Sequence, residues 1–216
     1  MGAGQGGSGR QVFLNRDASE APPMSVFRKL FATEADKYKA HLLRLDRDDR
    51  YMRFASYASD DRISRFVDAI DWGDTVVIGF FDCGELFGAA EARIAGVNGS
   101  RRAELAFSIE KRFQGRGVGG ALMRRALTVV RNRGVRVADI MCLLENCRMR
   151  RLGSHYANAT AIDSGEVEMR IDLDQSDQMS WLFEAIDDGE SVITTLLDQL
   201  QYPDARAHVP FHGWAA

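Results

Sequence analysis

The stretch Gln114-Gly115-Arg116-Gly117-Val118-Gly119-Gly120 holds the residue types in this 216-residue chain that most directly imply chemistry. Four glycines in six positions leave backbone N–H groups unshielded, and an apolar helical pattern begins within the same stretch. Such a turn predicts an anion cradle, in which N–H groups and the positive end of a helix dipole face phosphate oxygens. Glycine also lets the backbone approach a diphosphate closely. Local charge agrees, because residues 111–151 carry 11 Lys+Arg against 2 Asp+Glu while the whole chain has a net charge of -3. A polyphosphate ligand is implied, and the overall acidity argues against a dedicated nucleic-acid binder.

The same glycines fit Gly-x-Gly-x-x-Gly through Gly115, Gly117 and Gly120, so a Rossmann dinucleotide site is the competing reading, with Asp139 19 positions further on. In that fold a strand runs straight into the first glycine. Here the polar Glu110-Lys-Arg-Phe-Gln114 intervenes, an antiparallel pattern precedes it, and Asp139 falls near the start of its strand. A P-loop would require Gly-Lys-Ser/Thr after the glycines, which the sequence lacks. The three cysteines, Cys83, Cys142 and Cys147, form no Cys-x-x-Cys pair and adjoin no histidine pair. They predict reduced thiols, with neither a disulfide framework nor a metal site.

The cradle must be positioned by its neighbours. Val26, Phe27, Leu30 and Phe31 suggest a short helix between Ser25 and Lys39, and His41 to Leu45 reads as a first strand. Asp46 or Asp48 then caps a helix carrying Tyr51, Met52, Phe54, Ala55 and Ala58, and Ile63, Phe66, Val67 and Ile70 give a second helix its stripe. The period changes over Thr75–Phe81, Leu86–Ile94 and Arg102–Ile109, three β-rich runs broken by Asp82-Cys-Gly84 and Val97-Asn98-Gly99-Ser100. Asn-Gly favours a tight hairpin, so these runs predict an antiparallel meander. A long helix over Gly117–Arg133 ends at Gly134, and a strand over Val137–Leu144 follows. A helix over Asn146–His155 and two strands, Ala157–Ile162 and Glu166–Leu173, close the pattern around Asp163-Ser-Gly165.

With this order around it, the glycine stretch resembles the signature of the GNAT superfamily of acyl-CoA-dependent N-acyltransferases, Gln/Arg-x-x-Gly-x-Gly/Ala. Gln114, Gly117 and Gly119 match its three defined positions, and Ala103-Glu-Leu-Ala-Phe-Ser-Ile109 is similar to the family's fourth strand. The resemblance covers about residues 40–173 and implies an α/β fold with a mixed central sheet of about seven strands flanked by helices. The segment Leu45 to Phe54 further resembles the first helix of members related to bacterial protein-lysine acetyltransferases. For the cofactor, the resemblance implies a pantetheine arm between the fourth and fifth strands. That arm would bond to backbone at Phe107, Ser108 and Ile109, with the pyrophosphate on Gln114, Gly115, Arg116, Gly117, Val118, Gly119 and Gly120. Asn146 matches a frequent cofactor-contacting asparagine and equally fits a helix N-cap. Arg112, Arg116 and Arg148 are candidate phosphate partners.

Acyl transfer needs a base for the acceptor amine, a grip on the thioester oxygen and an acid for the leaving thiolate. Glu104, ten residues before Gln114, is the base candidate because family members carry a glutamate near there. The family's usual acid, a tyrosine seven residues after the asparagine, is replaced by Gly153, leaving Tyr156 as the nearest phenol and Ser108 as the nearest hydroxyl on that strand. His155, a lone histidine at a helix end, is the weaker candidate.

The expected activity is acetyl transfer from acetyl-CoA to an amine, small molecule or protein lysine, by direct attack and without a metal. A non-catalytic acyl-CoA-binding regulatory module is the alternative, and a Rossmann-type dinucleotide-binding protein a more distant one. The expected organisation is a flexible Gly-rich segment over 1–24, the acyltransferase domain over 25–173 and an acidic helical extension over 174–216. In that extension Trp181, Leu182, Phe183, Ile186, Leu196, Leu197 and Leu200 form an apolar stripe expected to pack on the domain or on a second copy, making a homodimer a candidate partner. No apolar run reaches the length of a membrane helix, and a cytoplasmic location without nucleic-acid or membrane partners is expected.

Overall fold

The β-rich runs between Thr75 and Ile109 build the centre of the molecule, and the first of them is buried along nearly its whole length, the pattern of a strand covered on both faces. The structure is a computed structural model that describes residues 25–97, 100–176, 178–182, 184–186, 188 and 189. Strands β2 (Thr75–Asp82), β3 (Glu85–Val97) and β4 (Ser100–Ile109) form the expected antiparallel meander. The hairpin tip at Asn98-Gly99 lies outside the described residues. With β1 (Val26–Lys29), β5 (Val135–Leu143), β6 (Ala159–Asp163) and β7 (Glu166–Asp172) they make a seven-stranded sheet in the order β1-β2-β3-β4-β5-β7-β6. Only the β4–β5 pairing is parallel, which requires the crossover helix α4 (Val118–Asn132).

Helices cover both faces. Helices α1 (Ala35–Arg44), α2 (Arg47–Phe54) and α3 (Asp60–Asp68) lie on one side, where Tyr38, Leu42, Ile63 and Val67 pack with Val77, Phe81 and Leu86. On the other side α4 brings Leu122, Ala126 and Val130 against Ala103, Leu105 and Ile140. Asp46 caps α2, accepting from Asp49 N–H at 2.9 Å, and Gly134 ends α4 with a φ of 77°. Helix α5 (Cys147–Gly153) follows β5 as expected.

The N-terminal reading is corrected in two places. Residues Val26–Lys29 are not helical but form edge strand β1, antiparallel to β2, with Phe27 packed 5.0 Å from the Phe80 ring. His41 to Leu45 is not a strand. It is the end of α1, since Tyr38, His41, Leu42 and Leu45 recur at i, i+3, i+4 and i+7 and all four are buried. A run of four or five apolar residues fits either period, and only the longer window through Tyr38 shows the helical one. The chain therefore opens with one strand and three helices.

Residues 1–24 lie outside the described residues, as do Phe183 and all of 190–216, including Leu196, Leu197 and Leu200. The described part of the C-terminal extension is helical over 178–182, 184–186 and 188–189. Its polar side meets the domain. Asn132 on α4 donates to Ser180 O at 3.0 Å and to Glu184 Oε2 at 2.6 Å, and Lys29 pairs with Glu184 and, at 2.9 Å, with Asp188. Trp181, Leu182 and Ile186, expected to be covered, are exposed. Among the described residues no helix is long and apolar enough to cross a membrane.

Candidate active site

The site begins where two strands part. β4 and β5 are paired from Arg101↔Val135 to Leu105↔Ile140, and no further rung joins them among the described residues. β4 stays with β3 to Gly88↔Ile109, whereas β5 follows β7 to Leu143↔Glu166. A gap opens between them. Glu110 N–H donates to Phe87 O at 2.9 Å, on the β3 side. Since backbone groups alternate along a strand, the N–H groups of Ile109 and Phe107 turn the other way, into the gap. Gln114 Nε2 reaches Ile109 O at 2.7 Å, which places that carbonyl at the same rim.

The glycine turn stands next to this gap. Gly115 and Gly117 have φ of 74° and 82°, a region in which side chains are strained, and Gly117 is the N-cap of α4. The first helical bond runs from Ala121 N–H to Gly117 O at 3.1 Å, so the N–H groups of Val118, Gly119 and Gly120 precede the ladder and project from the helix start. A Cβ on Gly119 would stand 3.3 Å from both Ile109 Cδ1 and Leu152 Cδ2, so the glycine allows α4 to begin close against the end of β4 and against α5. These features fit a polyphosphate and the arm attached to it. Gln114 locks the turn further, donating to Asp49 Oδ1 at 3.1 Å and accepting from Arg148 Nη1 at 2.6 Å.

The remaining cofactor candidates take defined places. Arg112 stacks on Phe87, its guanidinium 3.4 Å from the ring centroid, and Arg116 lies 5.7 Å from the Phe113 ring. Asn146 caps α5, accepting from Met149 N–H at 3.0 Å, which realises the N-cap reading.

Glu104 is exposed on β4, in register with Arg93 on β3 and Asp139 on β5. It borders a cavity of about 300 Å³ lined also by Ala95, Arg102 and Ala103. Asp139 lies in the middle of β5, where Arg102 donates to it at 2.7 and 3.1 Å, so it serves a cross-strand ion pair rather than a ribose. Tyr156 packs partly buried against the α4-side core, away from Glu104, whose strand neighbours on that side are Ala103 and Leu105. Gly153 is buried, and a Cβ there would meet the buried Met169 Sδ at 2.6 Å, so the core occupies the space a side chain at 153 would need.

The structure adds residues that the sequence reading missed by placing His41 on a strand. His41 is fully buried on α1, with Nε2 2.9 Å from Ser108 Oγ and Nδ1 3.0 Å from Glu110 Oε1. Burial holds its imidazole below the ordinary histidine range, partly opposed by Glu110. Burial alone would raise the Glu110 carboxyl, but hydrogen bonds from His41 and Arg44 outweigh it and hold it below the usual carboxylate range. Beside this group, Tyr38 O–H and Arg53 Nη2 donate to the buried Glu91 at 2.7 and 3.0 Å, fixing α1 and α2 to β3. The one available signal was the helical spacing of His41 with Tyr38 and Leu45.

Residues 32–154 match the family model described as the acetyltransferase (GNAT) family. No curated protein matches the chain. Among solved structures, it is similar to the GNAT domain of S. lividans PAT, with a TM-score of 0.58 and 23% identity over 70% of this chain and 97% of that one. It is also similar to yncA from Salmonella typhimurium, solved with its cofactor acetyl-CoA, with a TM-score of 0.51 and 16% identity over 70% and 95%. The paia N-acetyltransferase from Thermoplasma acidophilum, in complex with coenzyme A, gives a TM-score of 0.52 and 14% identity over 69% and 99%.

Proposed function

The chain belongs to the acetyltransferase (GNAT) family of acetyl-CoA-dependent N-acetyltransferases, and from that premise we propose that it moves an acetyl group from acetyl-CoA to a primary amine by direct attack. One observation carries the reading: the parting of β4 from β5 directly beside a positive-φ glycine turn at a helix N-terminus. Acetyl-CoA supplies the activated thioester carbon. The turn 114–120 holds its phosphates, and Phe107 and Ile109 present backbone groups to the arm. An N–H in the gap supports developing negative charge on the acyl oxygen. Asn146, at the mouth of the gap, is a further contact. Glu104 takes the proton of the acceptor ammonium, and the cavity it borders receives the acceptor, a small amine or a protein lysine. A homodimer built on the C-terminal extension accompanies this reading.

The test combines binding and turnover. Coenzyme A and acetyl-CoA are expected to bind at micromolar concentration or tighter and to raise Tm, because a ligand of the folded state alone stabilises it by mass action. Gly117→Glu should abolish that shift by placing a strained side chain and a negative charge in the cradle. Incubation with acetyl-CoA and a panel of amines should release free thiol. A shift with NAD and none with coenzyme A would overturn the assignment.

A further inference from the structure

The acetyl-transfer scheme leaves unused the hydrogen-bonded chain at the end of β4, in which His41 and Ser108 are buried. His41 Nδ1 faces Glu110 Oε1 at 3.0 Å, and Arg44 holds the same oxygen with Nε at 3.1 Å and Nη2 at 3.0 Å while Nη1 pairs with Glu85 at 3.0 Å. A carboxylate held by a guanidinium accepts only, so His41 carries its hydrogen on Nδ1. Nε2 is left as an acceptor, to which Ser108 O–H donates at 2.9 Å. Hydroxyl, imidazole and carboxylate then stand in the order in which a ring takes and returns the proton of a hydroxyl while a carboxylate holds its tautomer.

Their position matters as much as their order. Ser108, Ala106 and Glu104 alternate onto one face of β4, the face toward α1 and α2. The phosphate cradle lies beyond Ile109, so an arm laid along the gap brings its sulfur in on the Ser108 side and its acyl carbon further toward Glu104. Ala106 leaves room between them. At about 3.3 Å per residue, Ser108 and Glu104 stand roughly 13 Å apart along the strand, so their side chains approach a reacting carbon lying between them from opposite sides. The position that would offer a phenol is Gly153, closed by Met169.

We propose that Ser108 and His41 form a proton relay from the attacking amine to the departing sulfur, with Glu110 as the positioning carboxylate. The proposal rests on the acetyltransferase reading above. The amine nitrogen bonds to the acyl carbon, the carbon–sulfur bond breaks, and its electron pair stays on sulfur. Glu104 takes the first proton of the ammonium and passes it to solvent. The second moves to Ser108 Oγ as the Ser108 hydrogen moves to His41 Nε2, and the reverse movement delivers it to sulfur. Both residues end as they began. Glu110 offsets the transient imidazolium, whose charge would be costly unpaired at a fully buried site.

His41→Gln separates the relay from a structural clip, since an amide can accept from Ser108 and donate to Glu110 but cannot carry the proton. The expected result is a kcat about 100-fold lower, with coenzyme A affinity and Tm near those of the wild type. Ser108→Ala should behave alike and serves if the glutamine variant folds poorly. The wild-type rate should fall on the acid side as His41 protonates, below the ordinary histidine range because of burial, and the glutamine variant should lack that fall. In the ligand-free protein, nitrogen-15 NMR should find His41 protonated on Nδ1 at neutral pH. Wild-type kcat and pH profile in His41→Gln, or a proton on Nε2, would overturn the relay. A wild type that binds coenzyme A but acylates no amine removes the relay and the catalytic reading together. Failure to bind coenzyme A removes the cradle reading instead, and the relay with it.

Discussion

Glu104 carries most of the catalytic weight assigned to single residues, and it does so from an exposed strand position between Arg93 and Asp139. Glu104→Gln is expected to lower kcat at neutral pH by about 100-fold while leaving coenzyme A affinity nearly unchanged, because a neutral amide cannot accept the acceptor's proton. Part of the deficit should return at higher pH, where more amine is already deprotonated. Steady-state kinetics from pH 6 to about 10 check this, and an unchanged profile would reduce Glu104 to a strand residue. Gly153 illustrates the opposite case. A tyrosine there would have to displace Met169 from the core, so Gly153→Tyr is expected to lower Tm, at a cost of about 1–3 kcal/mol or more, rather than to improve turnover. Denaturant titration measures it.

At the scale of elements, the junction of β1 with α1 decides how the α1–α2 face sits over the site. Arg28, fully buried, donates to Glu34 at 2.8 and 2.9 Å and lies 3.8 Å from the Phe81 ring, while Lys37 donates to Glu34 at 3.0 Å. Burial would raise the Glu34 carboxyl, yet the bonds from Arg28 and Lys37 prevail and hold it below its ordinary value. A depressed native pKa stabilises the fold above the unfolded value and loses that contribution as pH falls through the native one. Thermal melts from pH 7 to 3 should therefore show a steeper acid loss for the wild type than for Glu34→Gln. Glu34→Ala should cost about 3–5 kcal/mol, since it takes the carboxylate from a buried guanidinium. Equal acid slopes for wild type and glutamine variant would show that the pair does not govern this junction.

For the whole molecule, the described part of the C-terminal extension meets the domain through its polar side and leaves Trp181, Leu182 and Ile186 exposed, so of the two coverings expected for the stripe the domain does not supply theirs. Truncation after Asp174 removes Ser180, Glu184 and Asp188, leaving Asn132 and Lys29 without those partners. The expected outcome is a Tm lower by several degrees and loss of the proposed homodimer, with coenzyme A binding kept, because the proposed cradle is built from 114–120 and the β4–β5 gap alone. Light scattering and thermal shift on the truncated chain check both parts. Unchanged oligomeric state and Tm would make the extension a loosely held appendage.

Much of this arrangement was legible before any tertiary structure. Glycines at 115, 117, 119 and 120 ahead of a long amphipathic helix specify a tight turn with open backbone N–H groups at a helix start, through local backbone freedom. The meander over residues 75–109 follows from three β-rich runs broken by turn residues at Asp82-Cys-Gly84 and Asn98-Gly99, whose glycines accept positive φ. These are short-range properties, and a sequence states them directly. The segment 26–45 was not legible, because its apolar runs are too short to distinguish period 2 from period 3.6, and pairing with β2 decided that Val26–Lys29 is a strand. The partners of Ser108 were equally hidden. His41 and Glu110 stand 69 positions apart and meet only because α1 packs across the end of β4. Whether a buried imidazole accepts a hydroxyl proton, and whether a glycine faces solvent or Met169, depends on contacts between distant segments. Packing alone sets those.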